Sequence, residues 1–180
     1  MSEDGERVVA AARGWIGTPY VHQASARGAG ADCLGLIRGV WRELLGAEPA
    51  PVPAYTPDWD EPAGEERLWA AARAYLVPVP PGAAAAGDVL LFRMRAGAVA
   101  KHLGIQGRTG AAASVIHAYS GHGVVESPLV PWARRIVARF RFPDPADTRR
   151  GGGTGGQAPC KALARRFQTP CRRANADGSA

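Results

Sequence analysis

No stretch of this 180-residue sequence reaches the roughly 18–20 consecutive apolar residues that a membrane-spanning helix requires. The first residues, Met1-Ser2-Glu3-Asp4-Gly5-Glu6, are acidic and lack the apolar segment of a secretory leader, so none is expected. Cysteine is scarce. Three residues cannot make a disulfide framework, and Cys160 and Cys171 fall near the C-terminus, leaving Cys33 alone in the body of the chain. A strong charge of one sign is also missing. Of the net charge of +6, residues 144–180 hold +4, with seven basic and three acidic side chains, so residues 1–143 carry only +2. That balance gives no support for a basic face for nucleic acid. What is present is an ordinary globular mixture, 46% hydrophobic and 21% charged, enough to bury a core and too apolar for a wholly disordered chain.

Helical periodicity marks three segments. Residues 4–16 set Val8, Val9, Ala12, Trp15 and Ile16 on one face, and Gly17-Thr18-Pro19 ends the run. A Gly/Ala/Ser loop over 21–31 leads to a helix from Cys33 to Leu45, with Leu36, Ile37, Val40, Trp41 and Leu44 in register, Asp32 as N-cap and Gly46 as stop. A Pro-rich loop over 49–62 precedes a third helix from Glu65 to Leu76, which Pro78, Pro80 and Pro81 prevent from continuing. The period then changes to two. Asp88–Met94, Lys101–Gln106, Ser114–Tyr119, Val124–Glu126 and Ile136–Phe142 read as strands. Helices followed by a meander of strands predict one α+β domain over residues 1–143, its helices packed on an antiparallel sheet. Beyond it, Gly151-Gly152-Gly153-Thr154-Gly155-Gly156 is a flexible linker in a basic tail, 144–180, expected to be disordered and dispensable for catalysis.

Cys33 opens the second helix, where free backbone N–H groups and the positive end of the dipole favour a thiolate. Gly28, Gly30 and Ala31 keep the preceding loop small enough for a substrate to approach. The same cysteine also fits a small core residue. His102 points away from Leu103 and Ile105, and His117 lies inside the next strand. Pairing of these strands would set both imidazoles on one sheet face, and a helix carrying Cys33 could pack across that face. Nucleophile, base and orienting residue would then meet. Each histidine taken singly also fits a satisfied structural residue, and spacing does not choose. Asp88 and His122 read as turn residues. No carboxylate accompanies the cysteine and histidines, so neither a zinc set nor a cofactor is expected.

Local words narrow the choice. Gly17-Thr18-Pro19-Tyr20, Asp32-Cys33-Leu34-Gly35-Leu36, Gly87-Asp88-Val89-Leu90-Leu91-Phe92, His102-Leu103-Gly104-Ile105 and Ile116-His117-Ala118, in this order over residues 5–143, resemble the NlpC-type cysteine peptidases, bacterial and phage enzymes that cut peptidoglycan stem peptides. The longer words Gly17–Ser25, Ala31–Leu44 and Val124–Leu129 look like the cell-wall peptidases of phage tails and gene transfer agents. Leu34 stands where the broad family usually has Ser, and His22 and Gln23 where it has Trp and glycines; both features belong to the subgroup.

The resemblance implies a papain-like NlpC core with Cys33 as nucleophile, His102 as base and His117 as the residue that orients it. It implies the Cys33 backbone N–H and the Tyr20 hydroxyl as oxyanion donors, His22 as a substrate contact or loop residue, and Asp32 as a cap beside them. The implied reaction is cleavage of a stem-peptide amide, at the γ-D-glutamyl–diaminopimelate bond, without metal or cofactor. The implied setting is a phage-like tail tip: the protein is assembled in the cytoplasm, carried in the particle and released by lysis. Its partners there are peptidoglycan and tail hub or baseplate proteins, not a membrane or a specific nucleic acid. The alternative is a structural plug of the tail hub that keeps the fold without the activity. Intact Cys33, His102 and His117 favour the enzyme.

Overall fold

Ser2 starts the first helix by accepting a hydrogen bond from the Gly5 backbone N–H at 3.2 Å, and α1 (Glu3–Arg13) buries Val8, Val9 and Ala12. The computed structural model describes residues 2–56, 64–80 and 82–144. Expectations for Pro81, for part of the Pro-rich loop, for Cys160 and Cys171, and for the tail past Asp144 lie outside the described residues. The helix ends three residues short of the predicted boundary. The turn at 14–17 keeps Trp15 in the core but turns Ile16 outward, 46% exposed rather than on the apolar face. The loop at 21–31 contains a short hairpin, β1 (Ser25–Ala26) with β2 (Gly30–Ala31).

The second helix, α2 (Cys33–Leu45), has the predicted limits, because Asp32 accepts from the Gly35 N–H at 2.7 Å and Gly46 follows the last turn. Its buried stripe is Leu36, Ile37, Val40 and Trp41, each fully buried aliphatic contributing about 1.5–3 kcal/mol. The third, α3 (Arg67–Tyr75), is shorter than predicted. Glu66 is diverted to the sheet, where its carboxylate accepts from the Ala100 N–H at 2.9 Å and pairs with Arg93.

Six antiparallel strands follow in the order β3-β8-β4-β5-β6-β7. They are β3 (Val77–Pro78), β4 (Val89–Arg93), β5 (Ala100–Gln106), β6 (Ser114–Tyr119), β7 (Gly123–Pro128) and β8 (Ile136–Arg141). The edge strand β3 escaped the sequence pattern because proline tolerates an edge position that it could not hold inside a sheet. Asp88, expected at a turn, is fully buried: it accepts from the Ala85 N–H and from Arg141 Nε, each at 2.8 Å. No described helix is long and apolar enough to cross a membrane.

The sheet has two apolar faces. Val89, Leu91, Leu103, Ile105, Ile116 and Ala118 pack with α1 and α2, whereas Leu90, Phe92, Val115 and Leu129 form a second cluster. Two irregularities shape the end of β5 that carries His102. Phe92 pairs with His102 but Arg93 pairs with Ala100, so Lys101 is an extra residue, a bulge that bends the strand and re-aims its side chains. In addition, only Ile105↔Ile116 and Gln106↔Val115 join β5 to β6, so the two strands part toward His102.

The contact between α2 and the turn that follows α1 generates a test. Trp15 lies over Gly39, and a Cβ there would occupy the indole; the same indole donates from Nε1 to Glu43 at 2.9 Å. Gly39→Ala is expected to lower stability by about 1–3 kcal/mol, overpacking outweighing a helix-propensity gain of about 1 kcal/mol. A urea midpoint at or above that of the wild type would contradict this packing.

Candidate active site

The gap between β5 and β6 opens into a cleft of about 210 Å³. Because the strands part there, both sides of the sheet contribute: Cys33 and Ala118 from the helix side, His102, Tyr119 and Trp132 from the other. Tyr20, His22, Asp32, Tyr55 and Lys101 complete its walls. The residues singled out in the sequence therefore gather in one place, but not by the expected route. The helix carrying Cys33 does not pack across the face that holds the histidines. It packs on the opposite face, against Leu103, Ile105, Ile116 and Ala118, and Cys33 reaches the cleft at the helix end.

His102 and His117 are both buried, and Nε2 of His102 lies 2.9 Å from Nδ1 of His117. Gly104 makes this approach possible. It shares a face with both rings, and a Cβ on it would stand 2.6 Å from a Val115 methyl and 3.2 Å from the His117 Cβ. Trp132 stacks on His102 at 5.8 Å between centroids and meets His117 edge-on at 4.6 Å, while Phe92 packs against both His102, at 5.6 Å, and Trp132, at 6.0 Å. Burial, reinforced for His102 by His117 and for His117 by His122, pushes the two imidazoles down to about 3 and about 4. Both are neutral at pH 7.

Cys33 departs from the expected thiolate. Burial and then the charge of Asp32 push the thiol up to about 12, against the backbone N–H groups of Leu103, Leu34 and Cys33 itself, which favour the anion. The resting pair is a neutral thiol and a neutral imidazole. Since Nε2 of His102 is engaged with His117, Nδ1 is the ring nitrogen left to exchange a proton with the thiol.

Asp32 caps α2 and does more. One oxygen accepts from Gly35 N–H; the other accepts from Gln23 N–H at 2.7 Å and Tyr55 O–H at 2.6 Å. His22 belongs to the same cluster, its Nε2 donating to the Tyr55 carbonyl at 2.9 Å and its Nδ1 3.5 Å from Asp32. Tyr20 has its hydroxyl held protonated by burial and by the proximity of Cys33 and Asp32, as an oxyanion donor requires. His122 is an exposed turn residue stacked on Tyr119 at 4.3 Å.

Tyr55, Tyr119, Trp132 and Ser127, whose Oγ is 3.3 Å from His117 Nε2, are site residues that sequence reasoning missed. Tyr119 and Ser127 carried a signal in strand alternation, since each shares the face of His117. Tyr55 and Trp132 lie outside helix and strand and carried none. Among the described residues, no group of three or more His, Cys, Asp or Glu side chains could hold a metal ion.

This architecture matches solved structures. NlpC1 from Trichomonas vaginalis superposes with a TM-score of 0.52 at 20% identity, covering 79% of this chain and 45% of that one. An NlpC/P60 family protein from Bacillus cereus gives 0.53 at 17% identity, over 79% and 41%. The chain has the papain-like NlpC/p60 fold. The NlpC/p60 domain of the peptidoglycan hydrolase SagA aligns at 27% identity over 77% of this chain and 98% of that domain, with a TM-score of 0.49. This NlpC/p60 fold thus spans less than half the length of the T. vaginalis and B. cereus proteins. No protein-family model matches the sequence, and no curated protein sequence does.

The neutral pair has a measurable consequence. With the thiol at about 12, Cys33 holds on the order of 10³-fold less thiolate at pH 7 than an ordinary cysteine. In a Cys160→Ser, Cys171→Ser background, alkylation of Cys33 by iodoacetamide is expected to be slow at neutral pH and to keep rising about tenfold per pH unit up to roughly pH 10. A plateau reached below about pH 8 would show a stabilised thiolate instead.

Proposed function

We propose that this chain is a cysteine endopeptidase that cleaves stem-peptide amides of peptidoglycan. The observation that carries the reading is the cleft lined by both Cys33, at the start of α2, and His102, whose Nε2 is bonded to His117. Such a pair is a base with an orienting partner, and the five family words point to the substrate. The finer reading follows the subgroup words Gly17–Ser25, Ala31–Leu44 and Val124–Leu129. It is cleavage at the γ-D-glutamyl–diaminopimelate bond by a component of a phage-like tail tip, assembled in the cytoplasm and carried with hub or baseplate proteins.

The proposed steps use groups already in place. The Cys33 thiol gives its proton to His102 Nδ1 as the sulfur attacks the amide carbonyl. The oxyanion that forms takes hydrogen bonds from the Cys33 backbone N–H and the Tyr20 hydroxyl. His102 returns the proton to the leaving amine as the C–N bond breaks, which leaves a thioester on Cys33. Water, deprotonated by His102, then releases the acid and regenerates the thiol. His117 keeps the His102 ring in one orientation throughout.

Turnover of soluble muropeptides, with mass analysis of the fragments, tests the proposal. Cys33→Ser and His102→Ala are expected to abolish measurable cleavage while the fold persists, and His117→Ala to fall less, within the span of about 10³–10⁶ for loss of a triad member. His117→Asn should retain the most, because its amide still bonds the His102 ring. Wild-type activity in Cys33→Ser or His102→Ala would end the assignment, and fragments cut elsewhere would replace the bond.

A further inference from the structure

Ser127 sits on β7 two residues beyond Val125, which faces His117 across the β6–β7 ladder, so its side chain lies on the face of His117. Its Oγ is 3.3 Å from His117 Nε2, and His117 Nδ1 is 2.9 Å from His102 Nε2. The three groups form a chain from the outer part of β7 to the cleft. His117 is fully buried, so its two ring nitrogens rely on these two neighbours. A neutral imidazole carries one N–H and one lone pair, and the chain therefore has two possible directions. In one, Ser127 accepts from His117 Nε2–H, His117 Nδ1 accepts from His102 Nε2–H, and His102 Nδ1 keeps its lone pair. In the other, Ser127 donates, every proton shifts by one nitrogen, and His102 Nδ1 is already protonated and cannot take the thiol proton.

We propose that Ser127 is a positioning residue: its hydroxyl accepts from His117 and thereby holds His102 in the tautomer whose Nδ1 is basic. The inference rests on the reading of Cys33 and His102 as nucleophile and base. One observation and one requirement of the proposed proton transfer favour this direction. Ser127 is only half-buried, so its own O–H has solvent to donate to while its lone pairs face the fully buried His117. And once His102 takes the thiol proton, both of its nitrogens carry hydrogen. Its Nε2–H then needs an acceptor, which His117 Nδ1 supplies only in the first direction. Without the hydroxyl, His117 Nε2–H would be a buried donor with no partner, a state relieved by moving the proton to Nδ1, which turns the His102 tautomer round.

Imidazole ¹⁵N NMR of the resting protein, together with kcat and KM on soluble muropeptides, tests this in the wild type, Ser127→Ala and Ser127→Thr. The wild type and Ser127→Thr are expected to show His117 protonated on Nε2 and equal turnover. Ser127→Ala should show His117 protonated on Nδ1 and a kcat lower by about 10–100-fold, with KM within about twofold. His117 protonated on Nδ1 in the wild type, a tautomer unchanged in Ser127→Ala, or a changed tautomer with kcat within about twofold would each overturn the proposal. A wild type inactive on muropeptides would instead overturn the proposed function, and the tautomers alone would then decide the role of Ser127.

Discussion

The carboxylate of Asp32 accepts three hydrogen bonds at once, from the N–H groups of Gly35 and Gln23 and from the hydroxyl of Tyr55. The first caps α2 and so fixes where Cys33 stands; the other two tie the preceding loop and the Tyr55 segment to the same point. The geometry of the cleft wall follows from this one buried group. It also bears on the thiol. A helix N-terminus favours a thiolate, but the burial of the thiol and then the carboxylate that caps this helix both oppose it, and they prevail. On the proposed assignment, a site built this way holds its nucleophile in place and forgoes a resting ion pair. The proposed base must then be neutral at rest, and the buried histidine pair is.

The second constraint is the parting of β5 from β6. Continued pairing of those strands would have left the helix face and the histidine face separated by the sheet. With only two residue pairs joining them, and a bulge at Lys101 on the other edge of β5, side chains from both faces reach one cleft. The hydrogen bond between His102 and His117, packed against Trp132, spans the opening.

Much of this is legible in the sequence where several local signals coincide. The limits of α2 are one case, because Asp32, the stripe Leu36–Ile37–Val40–Trp41 and Gly46 all agree. The strand Ser114–Tyr119 is another, and the alternation around His102 places it on the face of Gly104. Which face the helix takes is not legible, because both faces are apolar: Leu90, Phe92 and Val115 on one, Val89, Leu91 and Ile105 on the other. Tyr55 and Trp132 join the site through tertiary placement of irregular segments, which has no period to read. The ionisation of Cys33 follows from burial and from a neighbouring charge, and the position of a cysteine at a helix start points the wrong way.

The pH dependence of kcat/KM on a soluble stem peptide tests the central claim, a neutral thiol–imidazole pair as the resting nucleophile, most directly. With His102 lowered to about 3 and Cys33 raised to about 12, the reactive form is the major one between those values. The rate constant should then stay flat from about pH 5 to about pH 10 and fall only as His102 takes a proton in stronger acid. A decline on the alkaline side near pH 8–9, where an imidazolium paired with a thiolate would lose its proton, would contradict the account.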